Sequence, residues 1–153
     1  QVLWQGIPVH SNRVEFHAHL AYSGHSSGLK RDLSTRENLR FAAGMRGRHT
    51  NQNDLLAGLG LTACADLPVR NLSAGQQRRA SLALVLGSGT ELWVLDEPFT
   101  NIDRAGREWL GRRCNDHLAM GGLLLMAAHQ NSLLDPSRES IIELVANQPG
   151  MQR

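Results

Sequence analysis

One short segment, residues 92–95 (LWVL), constrains the fold of this chain more than any other. A continuous apolar run of this length is typical of a strand that is buried on both faces of a parallel sheet. A helical pattern follows over about residues 104–120, and a second apolar run lies at residues 123–128. This order of strand, helix and strand predicts an α/β layer with parallel strands, continued by a further strand at residues 141–144.

The composition fits one soluble domain. The 153 residues are 41% hydrophobic and 20% charged, as in ordinary globular proteins. The formal charge of +2 and the lack of a basic block predict no nucleic-acid partner. The apolar runs are far shorter than the ~20 residues of a membrane span, and no leader opens the chain. We therefore expect a cytosolic protein without direct membrane insertion, with free thiols at Cys64 and Cys114.

The first half of the chain predicts short strands and a series of helices. Strands fit residues 2–4 and 20–22. Ser34 and Glu37 have the spacing of a capping box, in which each residue satisfies a backbone N–H of the other at the start of a helix. A further helix fits residues 54–59.

Two adjacent carboxylates, Asp96 and Glu97, follow the first apolar run directly. The carboxyl end of a strand is the edge at which α/β sheets bind ligands, and adjacent side chains diverge there, so the two acids can perform different tasks. Asp96 can orient Mg²⁺ through water, and Glu97 can polarise the water that attacks a terminal phosphate. The alternative is a solvated Asp-Glu turn, and the pair alone does not distinguish the two interpretations.

A second capping box, formed by Ser73 and Gln76, predicts an anion site at the start of a helix over residues 73–86. The helix dipole and the backbone N–H groups favour a phosphate there, and Gly75 lets it approach the backbone. The alternative is an ordinary helix cap with Arg78 and the next arginine in solvent. The strand with its two carboxylates, which follows along the chain, favours the phosphate site.

His129 follows the second apolar run, so the same sheet edge is expected to present it beside the two carboxylates. A histidine at this place can hydrogen-bond a terminal phosphate and sense its presence. A histidine satisfied at a strand end is the alternative for this residue taken by itself.

These residues together resemble the ATP-binding subunits of ABC transporters. Residues 72–77 (LSAGQQ) are similar to the signature LSGGQQ, with Ala74 where glycine is usual, and residues 92–97 resemble the Walker B strand with its catalytic glutamate. Residues 100–103 (TNID) resemble the D-loop, and His129 matches the switch histidine. The order and spacing of these four elements make the resemblance specific.

A narrower resemblance is to the ATP-binding subunit of the haem exporter of cytochrome c maturation. Residues 2–6 (VLWQG), 72–79 (LSAGQQRR) and 95–103 (LDEPFTNID) are similar to that subfamily. The likeness extends from Val2 to about Leu144. The subfamily resemblance rests on less specific residues than the family resemblance.

The resemblance implies a P-loop NTPase fold of the ABC type: an incomplete RecA-like parallel sheet with an inserted helical signature subdomain. One ATP-binding domain would occupy residues 1–153 without its Walker A part. The helical subdomain would span about residues 30–87, and the carboxyl-terminal α/β part about residues 88–146.

The resemblance also implies that ATP and Mg²⁺ lie between the phosphate loop of one subunit and the signature of a second. Asp96 would then serve Mg²⁺ through water, Glu97 would be the general base, and His129 would sense the γ-phosphate. Ser26 stands where the family has a glutamine that helps ligate Mg²⁺, and its hydroxyl reaches less far. The residues implied to contact ATP, or to lie at the dimer contact beside it, are Ser73, Ala74, Gly75, Gln76 and Asp103.

The partners implied are a second ATP-binding subunit and integral membrane permease subunits, with the chain peripheral on the cytoplasmic face of the bacterial inner membrane. Two alternatives remain open. One is a non-catalytic module that docks on a permease. The other is a soluble ABC-type ATPase that acts on nucleic acid or ribosomes, which would call for a basic face or a second ATPase cassette.

The phosphate loop itself is missing from the sequence. A GxxxxGK[ST] loop needs a lysine that reaches the β- and γ-phosphates, and the only lysine, Lys30, stands between Leu29 and Arg31. In the family this loop precedes the segment that resembles residues 2–4. We therefore expect the chain to begin downstream of the loop and to leave part of its sheet uncovered.

We predict that the 153-residue chain alone binds ATP poorly or not at all, because no backbone cradle and no loop lysine are present for the phosphates. Isothermal titration with ATP and Mg²⁺ tests this. Binding in the micromolar range would contradict the prediction.

Overall fold

The structure is a computed structural model that describes residues 1–24, 28–47, 51–128 and 133–142. The strands are β1 (Leu3–Trp4), β2 (Ile7–Pro8), β3 (Leu20–Ser23), β4 (Leu92–Asp96) and β5 (Leu123–Ala127). The helices are α1 (Arg13–His19), α2 (Thr35–Arg46), α3 (Gln52–Gly58), α4 (Ala74–Leu86) and α5 (Arg104–Ala119). Three-residue 3₁₀ turns lie at Thr62–Cys64, Val69–Asn71 and Pro136–Arg138.

The chain opens with a β-hairpin. The strand predicted over residues 2–4 is found as β1, and it pairs antiparallel with β2, which the sequence did not predict. Gln5 and Gly6 join them with φ angles of 50° and 81°. Positive φ at both central residues defines the two-residue hairpin turn whose twist matches that of the strands, and Gly6 adopts it without a steric cost. Helix α1 follows and was also not predicted.

Strands β3, β4 and β5 form a parallel sheet in that order. Tyr22 lies beside Val94, which lies beside Leu125. Helix α5 connects β4 to β5, as the sequence predicted, and the predicted α/β layer is confirmed. Because the strands are parallel, Ser23 and Asp96, which end β3 and β4, lie at the same edge as the end of β5.

The sheet is buried on one face, which corrects the prediction that β4 is buried on both and agrees with the expectation that part of the sheet is left uncovered. Trp93 and Leu95 are buried, with Leu95 only 1% exposed. On the opposite face Tyr22, Leu123 and Leu125 are 52–59% exposed. An apolar run specifies a strand, but the elements that pack on each face decide its burial. Helices α4 and α5 contact the sheet, and the described residues leave its other face largely open.

The strand predicted at residues 141–144 is not found where the structure describes it. Ile141 and Ile142 belong to no strand and are 81% and 78% exposed. Glu143 and Leu144 lie outside the described residues. Strand β5 is therefore an edge strand within the described part of the chain.

Helices α2, α3 and α4 pack around a core of leucines. Leu55 and Leu56 of α3 are each 1% exposed. Helix α2 begins at the predicted capping box: the Glu37 N–H donates to the Ser34 hydroxyl at 3.2 Å, and the Ser34 N–H donates to the Glu37 carboxylate at 2.7 Å. Hydrogen bonds from the backbone and side chain of Ser34 lower the pKa of Glu37. Helix α3 begins at Gln52, two residues before the prediction.

Helix α4 contacts both parts of the fold, since it packs on α2 and α3 and also on β3 and β4. Its predicted bounds are confirmed, and Ala80 and Ala83 on it are fully buried. The division into a helical subdomain and an α/β part stays a prediction. Both cysteines are free and buried, and burial raises the pKa of Cys114 to about 12.

His117 of α5 connects the amino ends of β4 and β5. Its ring stacks on Trp93 with 3.7 Å between ring centroids and 3° between ring planes. Its Nε2 lies 3.1 Å from the Glu91 carbonyl and 3.3 Å from the Leu123 carbonyl, so an N–H there donates to both. A Cβ at Gly122 would lie 2.3 Å from the ring, which explains the glycine.

We predict that the free energy of unfolding decreases as the pH falls from about 7.5 to about 5.5, because His117 is folded in its neutral form. Burial lowers the pKa of His117 below its ordinary 6.5. The unfolded chain therefore binds a proton first as the pH falls, and the stability that neutral His117 contributes is lost. Urea unfolding across this range tests the sign.

The variant His117→Gln removes the titrating ring, and we expect a flatter dependence of stability on pH. The variant His10→Gln changes an exposed histidine and is the matched control. An equally steep pH dependence in His117→Gln and in the unmodified chain would contradict the prediction.

Candidate functional site

The predicted site residues lie at the carboxyl edge of the parallel sheet. Asp96 is the last residue of β4 and is partly buried, beside buried Ser23 at the end of β3. A shallow concavity opens there. Its lining includes Ser23, Arg78, Arg79, Asp96, Thr100 and Ile102. Strand β4 and helix α4 thus place Asp96 and the two arginines, Arg78 and Arg79, around one depression.

Glu97 has a left-handed backbone conformation, with φ of 45°. For a residue with a side chain this conformation costs about 1–3 kcal/mol, and such residues concentrate at functional sites. Backbone hydrogen bonds help to hold this conformation: the Glu97 N–H donates to the Ala127 carbonyl at 2.8 Å, and the Glu97 carbonyl accepts from the Thr100 N–H at 3.2 Å. The chain therefore keeps a strained residue at the position predicted to be the general base.

The Glu97 carboxylate is itself hydrogen-bonded. The Thr100 hydroxyl donates to Oε2 of Glu97 at 3.1 Å. Thr100 belongs to the segment that resembles the D-loop, and no separate task is predicted for it. Its place three residues after Glu97 across a proline turn is the signal that could have revealed the contact, although spacing alone does not fix the rotamer.

Arg78 joins the start of α4 to the end of β4. Its Nη2 donates to the Asp96 carbonyl at 2.8 Å and to the Glu97 carbonyl at 3.2 Å. Arg79 donates from Nη1 to the Asn101 carbonyl at 2.9 Å. Both side chains are partly buried, so the alternative of two arginines in solvent is wrong. Sequence reasoning missed this contact because its two ends are 18 residues apart or more.

The predicted capping box at the start of α4 is confirmed. The Gln76 N–H donates to the Ser73 hydroxyl at 3.2 Å, and the Ser73 N–H donates to the Gln76 side chain at 2.8 Å. Ser73 and Ala74 are exposed, and Gly75 and Gln76 are partly buried. These residues form the start of α4. Ser73, at its N-cap, lies about 7 Å along the helix axis from Arg78.

Gly75 has no packing reason within the chain to be glycine. The nearest atom to a Cβ built on it is Nη1 of Arg79, at 3.9 Å, which is an ordinary contact distance. Its φ lies outside the left-handed region. The small residue leaves an accessible backbone at the start of α4, as an approaching phosphate or partner would require.

Asp103 is the N-cap of α5, where its Oδ1 accepts from the Gly106 N–H at 2.8 Å. The side chain is exposed. Two residues earlier Asn101 also has a left-handed backbone, with φ of 59°. The segment from Glu97 to α5 is thus fixed at several points, and the predicted contact of Asp103 with a second subunit stays a prediction.

Two predicted site residues, Ser26 and His129, lie outside the described residues. The described chain reaches Ala128, the residue before His129, and Ala127 ends β5 at the same edge as Asp96. The tasks of Ser26 and His129 therefore stay predictions.

In the described part of the chain, no helix is long and apolar enough to cross a membrane. No group of three or more His, Cys, Asp or Glu side chains that could hold a metal ion is found among those residues either.

The fold is that of ABC-type ATP-binding proteins. A solved structure described as the ATP-binding subunit of an ABC transporter has a TM-score of 0.68 and 22% identity, covering 81% of this chain and 54% of that chain. A putative ABC transporter ATP-binding protein from Pyrococcus furiosus has a TM-score of 0.62 and 21% identity, covering 86% of this chain and 66% of that chain. The predicted fold class is confirmed.

The sequence comparisons give the family. The model for the ABC transporter family matches residues 1–100. The cytochrome c biogenesis ATP-binding export protein CcmA of Aliivibrio fischeri is 40% identical over 148 residues, covering 94% of this chain and 71% of that protein. The protein of the same name from Escherichia coli K12 is 44% identical over 131 residues, covering 85% of this chain and 62% of that protein.

The chain belongs to the ABC transporter family, in the class of its ATP-binding subunits. The predicted family is thereby confirmed. The chain spans 62–71% of the length of these two curated relatives, and about half, 54%, of the first solved structure.

We predict that Arg78→Met lowers the free energy of unfolding by about 1–3 kcal/mol, because two carbonyls lose a charged donor. Methionine keeps most of the aliphatic length, so the change isolates the guanidinium. Urea unfolding followed by circular dichroism measures the difference.

The matched control is Arg112→Met, which alters an exposed arginine of α5 and is expected to change stability by less than about 0.5 kcal/mol. If the two variants were equally stable, the bonds from Arg78 would contribute nothing to the fold.

Proposed function

We propose that this chain carries the signature and hydrolysis residues of an ATPase subunit that drives an ABC exporter. The observation that carries the proposal is Glu97, held in a left-handed conformation at the carboxyl edge of the sheet, directly after Asp96. Strain of this kind persists only where the surrounding contacts fix it. A solvated Asp-Glu turn has no need of such contacts.

The fit of Mg²⁺ to this edge rests on Asp96. With no larger acidic or histidine cluster among the described residues, the protein would supply very few ligands. That fits Mg²⁺, which keeps several waters and binds through one or two carboxylates and the phosphates of its nucleotide. When bound, the ion would neutralise charge on the phosphates. Ser26 would be a further, shorter ligand, at the position of the family glutamine.

Glu97 would act as the general base by accepting a proton from the attacking water, because a carboxylate at the strand end can reach a water beside the terminal phosphate. His129 would donate a hydrogen bond to the γ-phosphate and so report its presence. Both assignments rest on the resemblance and on the edge at which β4 and β5 end.

The first turn of α4 would bind the γ-phosphate of ATP held by a second subunit. The support is the exposure of Ser73 and Ala74, the unobstructed backbone at Gly75 and the capped helix start, which places N–H donors and the positive end of the dipole there. Gln76 would complete this contact. Asp103, exposed at the start of α5, would lie at the contact between the subunits.

Closing and reopening of the paired subunits would drive integral membrane permease subunits. The relatives are named as export proteins of cytochrome c biogenesis, and the resemblance of the sequence points to haem export. The chain would then be peripheral, on the cytoplasmic face of the bacterial inner membrane. The helical part over about residues 30–87 would carry the signature, and residues 88–146 the hydrolysis residues.

The alternative function is that of a non-catalytic module docked on a permease. Lys30 is the only lysine, and no phosphate loop is present in these 153 residues. The left-handed backbone of Glu97 opposes this alternative, because a docking module has no chemical use for a fixed carboxylate.

We predict that Glu97→Gln in the complete protein lowers ATP turnover by at least about 100-fold, because an amide cannot accept the proton. ATP binding should be unchanged, since the amide keeps the size of the side chain. Steady-state hydrolysis and equilibrium nucleotide binding measure the two effects separately.

Glu108→Gln is the matched control. This exposed carboxylate of α5 pairs with Arg104 at 2.9 Å, one turn away on the same helix, and its loss should leave turnover intact. Undiminished hydrolysis in Glu97→Gln would refute the assigned role of Glu97.

A further inference from the structure

We propose that Thr100 is a positioning residue that holds the Glu97 carboxylate in its reactive orientation. The proposal rests on the proposed function, in which Glu97 is the general base. It adds a residue for which the sequence motif gave no separate task.

Thr100 contacts both ends of Glu97. The Thr100 backbone N–H donates to the Glu97 carbonyl at 3.2 Å, which closes the turn. The Thr100 hydroxyl donates to Oε2 of the Glu97 carboxylate at 3.1 Å. One residue therefore fixes the backbone of Glu97 and restricts the rotation of its side chain.

The turn that carries Thr100 is rigid. Pro98 has a fixed φ, and Pro98 and Phe99 are both buried. The Arg107 guanidinium lies 5.8 Å from the centre of the Phe99 ring. A β-branched threonine also has few side-chain rotamers. The hydroxyl is thus placed beside the carboxylate before any substrate arrives, and little conformational entropy is lost in forming the bond.

The orientation of the carboxylate matters because proton transfer needs a water at hydrogen-bond distance and in a defined direction. A glutamate side chain that rotates freely meets that requirement in only a fraction of its conformations. With Oε2 held by Thr100, the carboxylate plane is restricted. The bond should matter more when a second subunit excludes water from this edge, since hydrogen bonds to charged groups are stronger there.

The test uses the complete protein with its permease and the variant Thr100→Val, which keeps the shape of the side chain and removes the hydroxyl. We expect kcat to fall about tenfold, the effect of losing one hydrogen bond to a charged group. KM and the affinity for ATP should change less than about twofold, because the hydroxyl is not placed on the nucleotide. Thr100→Ser should restore most of kcat.

Thr62→Val is the matched control, since it makes the same change at an exposed threonine in a 3₁₀ turn of the helical part. In the Glu97→Gln background, Thr100→Val should lower turnover no further, because the group that it positions is already gone. Thr100→Ala provides a second removal of the hydroxyl if the valine variant fails to fold.

Unchanged kcat in Thr100→Val or Thr100→Ala overturns the proposal, as does an equal loss in Thr100→Ser. A rise in KM without a fall in kcat also overturns it, because that result places Thr100 in nucleotide binding. Full loss of turnover in Glu97→Gln with no effect of Thr100→Val would leave the proposed function standing and refute the positioning role alone. Full turnover in Glu97→Gln would refute both.

Discussion

The bonds from Arg78 to the carbonyls of Asp96 and Glu97 connect the two chemical features of this chain. One feature is the capped start of α4, and the other is the pair of carboxylates at the end of β4. Arg78 lies only about 7 Å along α4 from Ser73, so the start of the helix is close to the backbone of Glu97. Arg79 extends the same connection to Asn101. Direct hydrogen bonds thus link the start of α4 to the turn after β4, as the proposed site between two subunits would require.

The strain at Glu97 is maintained by contacts from three different parts of the chain. Ala127 of β5 accepts its N–H, Arg78 of α4 donates to its carbonyl, and Thr100 closes the turn after it. A left-handed glutamate costs about 1–3 kcal/mol, which is comparable to the net contribution of two or three hydrogen bonds. These hydrogen bonds therefore offset the free-energy cost of the left-handed backbone at Glu97.

The sequence predicted the elements that depend on local patterns. The capping boxes at Ser34 and Ser73, the parallel strands and the helix between them were found as predicted, because caps and apolar runs are properties of neighbouring residues. Helix α1 was missed, since its residues bury little surface and leave no clear apolar stripe.

The errors concern interactions between distant parts of the chain. Burial on both faces of β4 was wrong, because the residues of a strand do not specify which of its faces a helix covers. The contact of Arg78 with Glu97 was missed for the same reason, since it joins residues 19 positions apart. The site residues were selected through the motif, but the bonds that position Glu97 follow from the packing of α4 against β4.

Strand β4 is held by His117 at its amino end and is followed at its carboxyl end by Glu97, whose backbone is strained. At its start, His117 stacks on Trp93 and donates to the carbonyls of Glu91 and Leu123, so that α5, β4 and β5 are held together. His117 thus joins α5 to the amino ends of β4 and β5, whereas Arg78, Thr100 and Ala127 hold the turn after Asp96. Strand β4 is therefore held at both ends, and the contacts at its carboxyl end keep Glu97 in its unfavourable backbone conformation.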